Sequence, residues 1–341
     1  MKILSFIVPS YNCEAYLNKC ISSLADENVL DGIEIIIVND GSSDKTEAIA
    51  REWCERYPDS VRLINQENKG HGGALNTGCA AATGKYLKVV DADDWVETQN
   101  LAELLVGLAE TDADVVLTQY STYDISNENT KKWVCSPDDF DREYTLSEAV
   151  SEWRAFENGF TLHGIAYRTE FYREKCIQLT EHVFYEDYEF ASVPACFARS
   201  IRALNVFVYV YRIGDVNQSV SSKNRLARVS HTEKVLGRLI CQCRELPSDA
   251  DPATKRYLCI KTKELLLSYM KTVMLDEPNR KKGRSDGKRM MSRIGSELPE
   301  TYALAEKQYT VLRLFNRLHI GTQVLNRILQ SRIYGLLKRS L

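Results

Sequence analysis

The chain has 341 residues, enough for one large or two medium domains, and 44% of them are hydrophobic, an ordinary share for a folded protein with a sizeable core. Its formal net charge of −3 gives no electrostatic case for a nucleic-acid partner. No stretch approaches the roughly 18 uninterrupted apolar residues of a membrane span, and ten scattered cysteines without a CxxC pair read as reduced thiols rather than disulfides or zinc ligands.

The first 120 residues alternate in type. "ILSFIV", at the N-terminus, is too short and too soon interrupted by Pro9 to be a signal peptide, and reads as a buried strand. "EAYLNKCISSLA" is an amphipathic helix, "IEIIIV" a second strand and "DKTEAIAREWCERY" a second helix. "VRLIN", a short helix over 73–82, "KYLKVV", "NLAELLVGLAE" and "DVVLTQY" continue the pattern. Such alternation predicts an α/β fold with a mostly parallel sheet covered by helices on both faces. Ligands of these sheets bind at the carboxyl ends of the strands. Residues 121–144 turn polar and read as an irregular excursion. A helix ("LSEAVSEWRAFE"), a strand ("FTLHGIAYR"), the helices "FYREKC" and "EDYEFASVPACFA", and the strand "IRALNVFVYVYRI" follow. From about Lys223 the pattern is helical, with the basic run "NRKKGRSDGKR" read as an exposed linker.

Charge is unevenly spread. From Arg280 onward there are 14 Lys/Arg against 4 Asp/Glu, so a +10 tail follows a body that carries −13. The tail, ending "YTVLRLFNRLHIGTQVLNRILQSRIYGLLKRSL", sets apolar residues at helical spacing between Arg and Lys. It fits an interfacial helix on anionic lipid, a packing helix with a solvated basic face, or an oligomer contact. A cytoplasmic protein is expected, at most peripherally bound to the inner face of a membrane.

The carboxylates at the strand ends carry the chemistry. Asp91, Ala92, Asp93 and Asp94 follow the fourth strand, and oxygen ligands at this spacing suit Mg²⁺ or Mn²⁺. A solvated turn, with Asp94 capping the next helix, accounts for a lone DxD equally well. Asp40 ends the second strand; Gly41 permits a tight turn, Ser42 and Ser43 offer hydroxyls, and Asp44 is a good N-cap. After the first strand, Pro9 stiffens the exit, Asn12 is a candidate cap, Tyr11 could contact a base and Glu14 could hold the loop. In "NKGHGGALNTG" the glycines at 70, 72 and 73 permit close backbone approach to a ligand at a helix start. As a dinucleotide fingerprint it fails, because Leu75 stands where GxGxxG needs its last small residue. His163 reads as a core or loop histidine that could contact an acceptor.

"VPSYN", "VNDGSSDKT", "NKGHGGALNTG", "ATGKYLKVVDADDW" and "YEDYEF" occur in the order usual for the family 2 glycosyltransferases, which they resemble from Ile3 to about Ser221. The resemblance implies the GT-A fold over 1–221, with a donor-binding part to about 120 and an acceptor-binding, catalytic part from 121, followed by a helical region over 222–341. It implies an inverting, metal-dependent transferase that takes a nucleotide-diphosphate sugar, most often UDP-linked, and a saccharide or lipid-linked acceptor. On this reading Asp40 binds the uracil, in a pocket lined by Pro9, Tyr11 and Glu14. Gly41, Ser42, Asn68, Gly70, Asp91 and Ala92 complete the donor site, while Arg212 and Ser219 meet the diphosphate. Asp93 is the main metal ligand beside Asp91, and Asp187 is the general base with Glu186 next to it. Asn217 and Gln218 stand where some relatives carry a metal-binding His, so no third protein ligand is assigned. A catalytically silent nucleotide-sugar binder and a nucleotidyltransferase are the rival readings. "VPSYNCEAYL" lacks the basic phosphate loop that the second would need.

Overall fold

Runs of Ile and Val that leave no polar face can only be buried on both sides, and two such runs form the middle of the parallel part of the sheet. The computed structural model describes residues 2–215, 222–322 and 324–325. The chain divides into two compact units, Met1–Asp215 with Ala250–Tyr257 and Val216–Asp249 with Leu258–Leu341.

In the first unit, β1 (Leu4–Ser10) and β2 (Ile33–Asp40) are buried at every residue. Between them α1 (Leu17–Leu24) turns Leu17, Cys20, Ile21 and Leu24 inward, the spacing of one helical face. Next come α2 (Thr46–Arg56), β3 (Val61–Gln66), α3 (Gly70–Ala81), β4 (Tyr86–Val89) and the short β5 (Trp95–Val96). The chain continues through α4 (Leu101–Ala109), β6 (Val115–Asp124), β7 (Asn129–Trp133), β8 (Glu143–Tyr144), α5 (Leu146–Ser151) and α6 (Trp153–Phe156). Then follow β9 (Ile165–Arg168), α7 (Thr169–Glu174), α8 (Asp187–Ser192) and β10 (Ile201–Ile213).

The sheet runs in the order β3-β2-β1-β4-β9-β6-β10-β5, with β7 added to β6 and β8 to β10. It is parallel across β3, β2, β1 and β4; antiparallel β9 then joins β4 to β6, and β10 runs parallel to β6. The carboxyl ends of β1, β2 and β4 therefore share one edge. Gly78 lets α3 lie close on the sheet, since a Cβ there would come within 2.2 Å of the Ile7 side chain.

Three expectations change. Residues 121–144 are not an irregular excursion, because β6 runs on to Asp124 and pairs with β7 in an antiparallel hairpin. Four of the five β7 residues are exposed, so no apolar alternation marks the strand. Cross-strand contacts hold it instead: Trp133 stacks on Tyr120 with ring centroids 6.0 Å apart, and Lys131 lies 3.7 Å over the Trp133 ring. The strand expected over "FTLHGIAYR" begins only at Ile165, after a turn in which the Gly164 amide donates to the Thr161 carbonyl.

The third change lies in the second unit, which contains α9 (Ser222–Ala227), α10 (Val229–Glu245), most of α11 (Pro252–Lys271), α12 (Arg280–Glu297) and α13 (Pro299–Arg317). "NRKKGRSDGKR" is no linker: it forms the first half of α12. Asn279 caps it by accepting from the Lys282 amide at 3.1 Å. Gly283 and Gly287, one turn apart, make the buried face, and a Cβ on Gly283 would stand 2.1 Å from the Val273 carbonyl oxygen. Close backbone contact replaces the large apolar residues that would have marked a helix.

Candidate active site

The loops after β1 and β2 are zipped together by side chains that each side supplies to the other's backbone. The Asn12 amide donates to Ser42 Oγ at 3.0 Å, and the Ser43 amide donates to Asn12 Oδ1 at 2.8 Å. The Lys45 amide donates to Glu14 Oε2 at 2.8 Å, and the Glu14 amide to Asp44 Oδ2 at 3.0 Å. Glu14 thus holds the loop. Asn12 caps no helix, because α1 starts only at Leu17; Asp44 accepts from the Thr46 amide at 2.9 Å, closing the first turn of α2. Pro9 is buried at the end of β1, and the Tyr11 ring stands 55% exposed just beyond it, open to a flat partner.

Asp40 is 2% exposed at the end of β2, and Gly41 follows it with a φ of 72°. The Asp40 carboxyl accepts through Oδ1 from Gln66 Nε2 at 2.6 Å and from the Lys69 amide at 2.9 Å, leaving Oδ2 without a partner among the described residues. Asn68 Nδ2 donates to the Asp40 carbonyl at 2.9 Å. Asp40, Gly41 and Asn68 form one turn at the sheet edge.

The four residues after β4 divide their work. Asp91 and Asp93 are half-buried, and Ala92 is buried beneath them. Asp94, 1% exposed, caps no helix: it accepts from Tyr209 Oη at 2.5 Å and from the Arg212 amide at 2.7 Å, tying the turn to β10. Burial, with Asp93 and Asp91 nearby, pushes the Asp94 carboxyl well above the usual range. Asp93 and Asp94 line a small cavity of about 110 Å³ with Tyr16, Lys19, Trp95 and Arg212. Lys19 Nζ sits 3.0 Å over the Trp95 ring, and the Arg212 guanidinium 4.7 Å from the Tyr16 ring with Asp215 paired to it at 3.0 Å. Ser219, Asn217 and Gln218 lie outside the described residues.

Among the described residues, Asp91, Asp94 and His163 each offer a ligand atom within 4.8 Å of the others. Asp94 is buried and both its oxygens accept hydrogen bonds, whereas Asp91 and Asp93 are only half-buried and so more accessible to a cation. As hard oxygen donors on one short turn they fit a divalent ion such as Mg²⁺ or Mn²⁺. His163 stacks on Tyr211 at 4.3 Å, and burial brings its imidazole down to about 4, against the pull of Asp91 and helped by Lys88. Lys88 itself is buried, donates to the His163 carbonyl at 2.7 Å, and is lowered to about 7 by that burial.

The glycine-rich segment does something the sequence did not disclose. The close approach its glycines permit is used by the chain's own residues 180–182. A Cβ on Gly72 would lie 2.5 Å from the Thr180 carbonyl oxygen, and one on Gly70 3.0 Å from the His182 nitrogen. Asn76 holds Leu179 by both backbone groups, at 3.0 and 2.8 Å. This seats the segment leading into α8 against the start of α3.

That segment ends at Tyr185 with a φ of 76°, a left-handed conformation unusual for a tyrosine, directly before Glu186 and Asp187. Glu186 is 2% exposed. His71, in the first turn of α3, reaches Glu186 Oε1 with Nδ1 and Asp91 Oδ1 with Nε2, the latter at 2.9 Å. Burial alone would lower the His71 pKa, but the two carboxylates push it well above the ordinary range. Burial likewise works to raise Asp91, and His71 outweighs it and holds Asp91 below its usual value. Asp187, half-buried at the first position of α8, is raised to about 7 by burial and by the charge of Glu186, with His71 pulling the other way.

Residues chosen from the sequence for a donor site thus gather at one edge, and the Glu186–Asp187 pair joins Asp91 through His71. Sequence reasoning missed His71 and Tyr209, and read Asp94 only as a member of the carboxylate cluster that could cap the next helix. A histidine set among three glycines at the ligand edge was the available signal for the first. A third carboxylate needing buried donors was the signal for the other two.

Residues 5–170 match the family model described as Glycosyl transferase family 2. EpsH of Bacillus subtilis (strain 168), named as a glycosyltransferase, is 32% identical over 220 residues, which cover 62% of this chain and 60% of EpsH. The chain therefore spans about three fifths of that relative's length. The crystal structure of S. aureus TarS 1–349 is similar over 94% of this chain and 88% of its own, at 20% identity and a TM-score of 0.63, and the same segment is known in complex with UDP-GlcNAc. Mannosyltransferase PcManGT from Pyrobaculum calidifontis, in complex with GDP-Man and Mn²⁺, is similar over 96% of this chain and 88% of its own, at 18% identity and a TM-score of 0.54.

Proposed function

We propose that this chain, whose residues 5–170 match the glycosyl transferase family 2 model, acts as a member of that family and moves a sugar from a nucleotide-diphosphate donor, UDP-linked by preference, to an acceptor hydroxyl with inversion at the anomeric carbon. The observation that carries the reading is the gathering of Asp40, Asp91 and Asp93 at the ends of β2 and β4, with Asp187 linked to that edge through Glu186 and His71. The UDP-GlcNAc complex of TarS and the GDP-Man and Mn²⁺ complex of PcManGT support a nucleotide-sugar donor and a divalent ion.

In this proposal the base stacks on the exposed Tyr11 ring, and Asp40 Oδ2 accepts from the base N–H. Pro9, Glu14, Gly41, Ser42, Asn68 and Gly70 shape and hold that pocket, and Ala92 leaves room beside the ribose, which Asp91 meets. Arg212 meets the diphosphate, its planar guanidinium suited to two phosphate oxygens; Ser219 is proposed beside it. Asp91 and Asp93 are the residues that would hold Mg²⁺ or Mn²⁺, which when bound would supply charge stabilisation to the departing diphosphate. Asp187 takes the proton from the acceptor hydroxyl as its oxygen attacks C1 on the face opposite the diphosphate. Hydroxyls of a saccharide or lipid-linked acceptor in glycoconjugate synthesis are the expected nucleophiles. The domain assignment proposed is transferase over 1–221 and a helical region over 222–341.

A base raised to about 7 sets the pH dependence. Asp187 is protonated and inactive below that value and ionised and active above it. The expected kcat/KM rises by close to tenfold per unit below about pH 7 and levels off above it. Initial rates from acid to mildly alkaline pH check this, and a profile flat through neutrality contradicts it.

Among the described residues no helix is long and apolar enough to cross a membrane. Val311, Leu314 and Leu318 are exposed along α13 and beyond its end, with Arg313 and Arg317 interleaved. They support peripheral contact with anionic lipid, and an oligomer contact is the alternative use of the same face. The remaining tail, residues 326–341, lies outside the described residues. Co-sedimentation with anionic vesicles at low salt tests the membrane reading, and protein left in the supernatant sinks it.

A further inference from the structure

The segment "NKGHGGALNTG" is only partly used by the donor site, and its histidine is the feature left over. His71 is half-exposed, yet each of its ring nitrogens faces a carboxylate from a different part of the unit. Asp91 comes from the turn after β4, 20 residues away in the chain; Glu186 comes from the start of α8, 115 residues away. The Glu186 contact depends on backbone that only glycine allows, since a Cβ on Gly72 would meet both the Thr180 carbonyl oxygen and Glu186 Cγ. For Glu186, His71 is the one hydrogen-bond partner its carboxyl has among the described residues, and Oε2 is buried without any. A buried carboxylate with no partner is costly. Without His71, neither oxygen of the buried Glu186 carboxyl would have a hydrogen-bond partner among the described residues to hold it in place, and Asp187 is the next residue.

We infer that His71 is the positioning residue that joins the donor edge to the base-bearing helix, holding Asp91 with one ring nitrogen and Glu186 with the other so that Asp187 keeps its aim at the acceptor hydroxyl. This rests on the glycosyl-transfer reading above. His71 touches neither the base nor the acceptor in that reading; it acts through its two carboxylate partners.

Two measurements on the full chain test the clamp. The first needs no turnover. Ring ¹⁵N–¹H spectra of ¹⁵N-histidine protein, assigned with His71→Gln, should show both His71 N–H protons downfield and protected from exchange. Glu186→Ala should remove the Nδ1–H signal and Asp91→Ala the Nε2–H signal. Ring protons of His71 that exchange freely, or that ignore both substitutions, overturn the clamp even if no sugar donor turns over.

The second measurement is kinetic. His71→Ala should lower kcat at least tenfold while donor KM rises no more than about threefold, because Asp40 and Asp93 are untouched and Asp91 alone of the donor edge loses a contact. In an Asp187→Asn background the same change should cost several-fold less than in the unmodified chain, since there is no longer a base to aim and only the Asp91 contact is left to lose. If His71→Ala fails to fold, His71→Gln, which keeps a donor for only one carboxylate, carries the same comparison. A kcat within twofold of wild type, a loss confined to donor KM, or an undiminished loss in the Asp187→Asn background overturns the positioning role. A wild-type chain that transfers no sugar while its His71 ring signals behave as stated refutes the transfer reading and leaves the clamp standing.

Discussion

Asp187→Asn lowers kcat by about 10²–10⁴, the usual contribution of a positioned base, while nucleotide affinity stays near that of the unmodified chain. The substitution keeps the size of the side chain and some of its hydrogen bonding but removes its ability to take a proton. Asp187 is half-buried, and its carboxyl is raised to about 7 by burial and by Glu186, so at neutral pH it is poised between charged and neutral forms. That is where a base serves both the loss of the acceptor proton and its own regeneration. Donor binding is assigned to residues in other elements, so Asp40→Ala should do the reverse and weaken nucleotide binding first. Steady-state kinetics beside calorimetric titration with UDP separates the two. A variant at Asp187 that keeps more than about a tenth of the activity falls short of that range, and Glu186 becomes the candidate base.

Asp93→Ala is the second large effect. Asp91, Asp93 and Asp94 stand on one four-residue turn, where like charges repel. Asp94 accepts from Tyr209 and the Arg212 amide, and Asp91 meets His71. Asp93 is half-buried and lines a cavity with Arg212 and Lys19. With a divalent ion assigned to it, its loss should cost turnover at least about 10²-fold, the scale of removing one contributor to transition-state charge stabilisation. Calorimetry should show that Mn²⁺ no longer strengthens UDP binding, with an unchanged circular-dichroism spectrum. Equal UDP affinity with and without Mn²⁺ in the unmodified chain would remove the metal from the account.

What could be read from the sequence follows from how each element is held. β1, β2 and β10 announce themselves, because strands buried on both faces must be written in Ile, Val, Leu and aromatic residues. The end of β2 then locates Asp40, and the end of the apolar run of β4 locates Asp91. β7 was hidden because an exposed edge strand carries Asn, Thr and Lys and is held by ring stacking against β6. The first half of α12 was hidden for another reason: its buried positions there are Gly283 and Gly287, residues that sequence patterns score as breakers, and the apolar Met290, Met291 and Ile294 come only in the second half. The site divides along the same line. Carboxylates at strand ends could be found by counting along the chain. The His71 bridge could not, because its partners are 20 and 115 residues away and meet only once the 180–182 segment seats on the glycines of α3. The glycines were legible as places of close approach, but not which backbone approaches.

The central claim, nucleotide-sugar transfer at the β2–β4 edge, is tested most directly by nucleoside-diphosphate release from a panel of UDP-, GDP- and dTDP-sugars with Mn²⁺. The expected result is release from at least one donor, accelerated by a hydroxyl acceptor, stopped by EDTA, and lowered by about 10²–10⁴ in Asp187→Asn. A folded chain that neither binds nor cleaves any donor in the panel, or one whose release is indifferent to both EDTA and Asp187→Asn, contradicts it.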